Sequence, residues 1–160
     1  MHTIVLAVGS IAATAAVAFV VLVVGMRAKA TPVLNTVRRM NRFTKRFVLK
    51  SAGTAGSPTA AVHHVGRRSG GKYETPVVAA RTDAGFAVAL PYGMNTDWLK
   101  NVLSAGRGAI AYDGRVYEVD RPEVVQLATV ESRFAAREQR LHRQFGVAEA
   151  LVVRLANARV

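Results

Sequence analysis

Between Thr3 and Met26 the chain runs for 24 residues without a charged side chain, mostly Val, Ala, Ile, Leu and Phe. As a helix rising about 1.5 Å per residue, this segment is roughly 36 Å long and crosses a bilayer with some tilt. A cleaved secretory signal is the competing reading, because Ala28-Lys29-Ala30 imitates a small-x-small cleavage site. A signal, however, needs a basic stretch ahead of a shorter apolar one, and no Lys or Arg stands among the first 26 residues. We therefore expect a transmembrane anchor over residues 1–30. Arg27, Lys29, Arg38, Arg39, Arg42, Lys45, Arg46 and Lys50 all follow the span, so the positive-inside rule turns the rest of the chain toward the cytoplasm.

The net charge of +12 is unevenly spread over the 160 residues. Residues 1–73 hold 11 bases and no acid, whereas residues 74–160 hold 11 bases and 10 acids. A domain that coats nucleic acid would carry its bases as a stripe on the folded body, so nucleic acid is not an expected partner. An apolar content of 51% rules out a disordered polybasic chain. With no Cys there is no disulfide scaffold, thiol nucleophile or Cys-ligated metal.

Pro32 suits the first turn of a helix over Val33 to Lys50. Val33, Val37, Met40, Phe43 (or Thr44) and Phe47 recur at three- and four-residue spacing among the bases. Such a helix either packs its apolar stripe on the following domain or lies on anionic lipid, where each base contributes about 1 kcal/mol. Residues 31–58 thus read as a basic amphipathic helix followed by the small-residue linker Ser51 to Pro58.

From residue 59 onward, short apolar runs bounded by Gly, Asp and Pro predict a mainly antiparallel sheet. The expected strands are Ala60 to Val65, Tyr73 to Arg81, Phe86 to Leu90, Ala109 to Tyr112, Arg115 to Val119 and Leu151 to Leu155, with a hairpin turn at Asp113-Gly114. Helices are expected over Thr96 to Ser104 and Pro122 to Phe145. The long one would start at a capping-box-like Asp120/Glu123, bury Leu127, Val130, Phe134, Leu141 and Phe145, and end at Gly146. Six strands in so small a domain favour a closed or partly open barrel, which removes exposed edges. The fold class is α+β, mainly β.

Two clusters carry chemistry. Gly66-Arg67-Arg68-Ser69-Gly70-Gly71-Lys72 joins permissive backbone to a hydroxyl and three positive charges, a composition that cradles phosphate. It is neither a Walker loop nor a dinucleotide fingerprint, both of which need a helix after the glycines, and alone it equally fits a solvated basic hairpin. The second cluster, Leu90-Pro91-Tyr92-Gly93 through Asp97, Trp98 and Asn101, gathers backbone donors, a phenol and the only Trp at one sheet edge. It fits a site for a planar ligand, and equally a Trp plugging the barrel end. His63 and His64 are adjacent on a strand, point to opposite faces and cannot chelate one metal as a pair; no metal site is expected. With so few reactive side chains, a cofactor would have to supply any redox chemistry.

Gly66-Arg-Arg-Ser-Gly70, Lys72, Thr75-Pro76-Val77, Asp97-Trp98, Asn101 and the Asp-Gly hairpin together resemble the deazaflavin-dependent nitroreductase family of actinobacteria, across about Ala60 to Leu155. The resemblance implies an FMN-binding-like split β-barrel that uses the deazaflavin coenzyme F-420, with FMN the lesser candidate. It implies that Gly66, Arg67, Arg68, Ser69, Gly70 and Lys72 hold the coenzyme's anionic tail. Pro76, Val77, Leu90, Pro91, Tyr92 and Gly93 would line its ring, supported by Trp98 and Asn101, with Tyr92 a hydrogen-bond donor to the acceptor. The acceptor would be a quinone, nitro compound or enone, the membrane anchor favouring a lipid-soluble one. A non-catalytic flavin or deazaflavin carrier at the membrane is the alternative. The chain departs from the family pattern at Pro91-Tyr92-Gly93, Trp98-Leu99 and Ala105-Gly106-Arg107, near the acceptor side.

Overall fold

The computed structural model describes residues 2–156; the side chains of residues 2–13, 38, 41–44 and 46, including Arg38, Arg42, Phe43 and Arg46, lie outside that description. Two helices lead the chain, α1 over His2–Arg27 and α2 over Thr31–Leu49. They meet at a corner where Lys29 takes a left-handed φ of 52°. Among the described residues no single helix is long and apolar enough to cross a membrane; Thr14–Arg27 and Thr31–Val37 have the length and composition together but are bent by 111°.

The remaining chain folds into β1 (Ala60–Val65), β2 (Lys72–Val77), β3 (Ala79–Arg81), β4 (Gly85–Ala89), α3 (Asp97–Ala105), β5 (Arg107–Tyr112), β6 (Arg115–Gln126), α4 (Ala136–Phe145) and β7 (Glu149–Leu155). All pairings are antiparallel, in the order β2-β1-β5-β6-β7-β4-β3, and the sheet curls into a half-barrel. Alternation of side chains sets its two faces. Phe86, Val88 and Leu90 point inward with Leu151, Val153, Val62, Ile110 and Val119, closed at one end by Leu99 and Val102 of α3. The opposite face carries Ala80, Ala87, Ala89 and Ala150, small enough for Leu127 and Phe134 to press against the backbone. At the hairpin joining β5 and β6, Asp113 and Gly114 both have positive φ, 48° and 76°. This is the two-residue turn expected from their sequence.

Three expectations need correction. The predicted strand Tyr73 to Arg81 breaks at Val78 into β2 and β3, which brings the strand count from six to seven. The predicted helix Pro122 to Phe145 is mostly not helix: β6 continues through Pro122 to Gln126, two 3-10 turns follow at Leu127–Thr129 and Glu131–Arg133, and only Ala136–Phe145 is helical. Asp120 and Glu123 do not cap a helix; they flank a register shift in the β6–β7 pairing, with Arg121 at φ 50°. A bulge spares Pro122 a ladder hydrogen bond, so the proline is compatible with a strand there. The apolar spacing was misleading because 3-10 turns also place residues three apart on one side. Of the expected stripe, Leu127 and Phe134 are buried, whereas Leu141 is 41% exposed.

Residues 51–58, expected as a spacer, are bonded to the β5–β6 hairpin: Gly114 N–H donates to Gly53 O at 2.7 Å and Gly56 N–H to Asp113 Oδ1 at 2.9 Å. Phe86 anchors the barrel interior, with ring centroids of Tyr112 and Tyr117 each 5.3 Å away. Phe86→Ala should cost about 3–5 kcal/mol in urea unfolding, whereas Leu103→Ala on the exposed side of α3 should cost under about 1 kcal/mol.

Candidate functional site

The loop between β1 and β2 is a closed turn. Gly66 N–H donates to Gly71 O and Gly70 N–H to Gly66 O, both at 2.8 Å. A Cβ on Gly66 would lie 2.5 Å from Ser69 Oγ and 2.8 Å from Tyr73 Cε2, so a larger residue there would displace these two side chains. Ser69 Oγ accepts from Gly71 N–H at 3.3 Å and stands 3.1 Å from the Tyr73 hydroxyl. Among the described residues the Arg68 and Ser69 amides, at the tip, have no internal acceptor. Two successive unpaired N–H groups beside a guanidinium form a concavity suited to an anion.

Arg67 does something different from its neighbour. Its guanidinium donates to Asn101 Oδ1 at 2.8 Å and to Asp97 Oδ1 at 3.0 Å, and its amide donates to Asn101 Oδ1 at 3.2 Å. Arg67 therefore pins the loop to the first turns of α3, and Arg68 is left as the loop's outward cation. Asn101 is buried; its Nδ2 lies 3.1 Å from His64 Nδ1, and His64 Nε2 lies 3.1 Å from Thr75 Oγ1. Burial, then the nearby Lys45 and His63, push the His64 imidazole down to about 4, so it is neutral at neutral pH. His63 points the other way, 3.9 Å from Glu74, as adjacent strand residues must.

These residues line a cleft of about 990 Å³. From the loop come Gly66, Arg67, Arg68 and Ser69; from the end of β2 come Pro76 and Val77. Leu90, Pro91, Tyr92 and Gly93 form a second wall, and Trp98 and Asn101 of α3 a third. Of the residues expected to bind a coenzyme, Gly70 and Lys72 alone are not in the lining. Trp98 is half-buried and packs on the core as well as lining the cleft.

Sequence reasoning missed the rest of the lining. Met26 of α1 and Val37, Lys45 and Val48 of α2 close one side, and Lys29 Nζ donates to Pro91 O at 3.4 Å. Glu138, Leu141, His142 and Phe145 of α4 close another. Three cleft residues, Thr96, Glu138 and His142, hold a buried side-chain atom (Oγ1, Oε2 and Nδ1) without an internal hydrogen-bond partner. Glu131 and Glu149, outside the lining, hold two more such atoms; in the cleft, water or polar ligand atoms can satisfy the three. The i, i+4 spacing of Glu138 and His142 was the available signal, obscured by the expected longer helix. Among the described residues no three His, Cys, Asp or Glu side chains gather as a metal ion would require.

No protein-family model matches the chain, and no curated protein matches it. Among solved structures, a protein of unknown function from Agrobacterium tumefaciens is similar over 61% of this chain and 48% of its own, at 16% identity and a TM-score of 0.46. A chain described as a domain-swapped dimer is similar over 76% of this chain and 98% of its own, at 13% identity and a TM-score of 0.47. The protein thus spans about half the length of the first of these.

His64 titrates near 6.5 when exposed and near 4 in the fold, so between those values the unfolded chain holds the extra proton. Its contribution to stability is present above pH 6.5 and is lost as pH falls toward 4. His142, also lowered chiefly by burial, acts in the same direction. His64→Gln should therefore lose less urea stability than wild type between pH 7 and pH 4.5. Equal losses would refute the assignment.

Proposed function

We propose that this chain is a membrane-anchored oxidoreductase that holds the deazaflavin coenzyme F-420 in the cleft and reduces a quinone, nitro or enone acceptor beside it. The observation that carries the reading is convergence: all but two of the fourteen residues singled out for coenzyme binding line one cleft. The residues suit the group. The Arg68 and Ser69 tip, with Lys72 following, offers amides and positive charge to an anionic tail. Pro76, Val77, Leu90, Pro91 and the Trp98 indole offer apolar surface to a planar ring. When bound, the reduced coenzyme supplies a hydride from C5. The chain's own residues bind, orient and exclude water: Tyr92 and the α4 pair Glu138 and His142 provide polar atoms on the acceptor side, and the apolar α1 and α2 side chains shield them from solvent.

Two features favour the membrane part of this reading. On α2, Met40 and Phe47 are 64% and 73% exposed, turned away from the barrel, with Arg39 and Lys50 also exposed. With α1 along the bilayer normal, a bend of 111° lays the start of α2 near the membrane plane. The split-barrel relationship to flavin-binding enzymes rests on the sequence resemblance and on the curled antiparallel sheet.

Fluorescence titration of the full chain in detergent micelles with F-420, and with FMN as comparison, tests the assignment; absence of binding would exclude it. Arg68→Ala and Lys72→Ala should each weaken F-420 binding about tenfold, about 1.4 kcal/mol, less so in high salt. Binding without reoxidation by quinones or nitro compounds would instead indicate a carrier. An alkaline-phosphatase fusion at Val160 should be inactive outside the cell, and activity there would reverse the orientation.

A further inference from the structure

The hydrogen-bond chain from Arg67 to Thr75 has a single consistent direction. Asn101 Oδ1 receives two donors from Arg67, its amide at 3.2 Å and its guanidinium at 2.8 Å. The carboxamide orientation is therefore set, and Nδ2, which can only donate, faces His64 Nδ1 at 3.1 Å. Nδ1 must then be the bare nitrogen of a neutral imidazole, and Nε2 must carry the proton. Nε2 stands 3.1 Å from Thr75 Oγ1, so His64 donates and the threonine oxygen accepts. Thr75's own hydroxyl hydrogen is left over. Among the described residues nothing accepts it, and Thr75 lines the cleft.

An O–H turned into a partly desolvated cleft without an acceptor is unfavourable, and a ligand atom that accepts it removes the cost. We propose that Thr75 is a ligand-binding residue that donates a hydrogen bond to an acceptor atom on a planar ligand, a ring carbonyl oxygen or an unprotonated ring nitrogen. Asn101 and His64 act through it as positioning residues. The cleft thereby selects heteroaromatic ligands that present an acceptor at the β2 wall over those that present an N–H. The groups around His64 are consistent with a neutral ring: Lys45 from α2 and His63 from its own strand disfavour a second positive charge, while the Tyr73 ring from β2 stacks at 5.7 Å. The Glu74 carboxylate of β2 is turned to His63.

The choice of probe rests on the coenzyme reading above, but the direction of the chain does not. Long-range ¹⁵N–¹H correlation of the imidazole rings in the full chain without ligand, assigned with His64→Gln, should show His64 protonated at Nε2 and bare at Nδ1. The opposite tautomer would overturn the proposal, since Thr75 would then have to donate to His64. With F-420 as probe, Thr75→Val should bind about tenfold more weakly and shift the absorption band of the bound ring, while Thr75→Ser restores both. Unchanged affinity and an unmoved band in Thr75→Val would refute the ligand contact. A wild-type chain that binds neither F-420 nor FMN would overturn the coenzyme reading, and the ring tautomer would still decide the direction of the chain.

Discussion

One strand, bent at Val78, supplies both outer members of the sheet. Its first half, β2, pairs with β1 and its second half, β3, with β4. Covalent continuity across Val78 holds the two ends of a seven-stranded sheet together, and a sheet tied in this way has to curl. Val78 O keeps one ladder bond across the bend, from Ala89 N–H at 3.3 Å. The end of β2 and the Leu90 to Gly93 segment after β4 then face one another, and the cleft occupies the space the bend leaves.

Within that frame the Asn101 carboxamide determines where the polar groups sit. A buried amide must satisfy both ends, and here one end takes Arg67 and the other His64. Loop, helix α3 and strand β1 are thereby referred to a single side chain. The separation of work between Arg67 and Arg68 follows: one guanidinium is spent on internal geometry, which leaves its sequence neighbour to meet solvent or a ligand.

Much of this was legible beforehand where the signal is local. The Asp113-Gly114 hairpin, strand β1 and the Gly-rich loop each announce themselves through residues that few other conformations tolerate. Part of the cleft lining was legible too, because glycines, prolines and the one Trp cluster at strand ends. What was not legible depends on partners distant in sequence. Whether Leu127, Val130 and Phe134 lie on a helix or on 3-10 turns is decided by the alanine-rich outer face they pack on, and the spacing alone does not distinguish them. The bulge at Asp120 to Glu123 exists because β7 pairs alongside, which the local residues do not reveal. The internal partners of Arg67 were hidden for the same reason, since they lie thirty and more positions away.

The placement of α1 and α2 alters what counts as the functional unit. Their side chains are part of the cleft wall, and α2 lies against β2, the strand at one end of the sheet. A fragment beginning after Lys50 would lose Met26, Val37, Lys45 and Val48 from that wall and leave a strand edge without its cover, an invitation to pair with a second copy. The two leading helices are thus building material for the cleft, and trimming them would leave a different cavity.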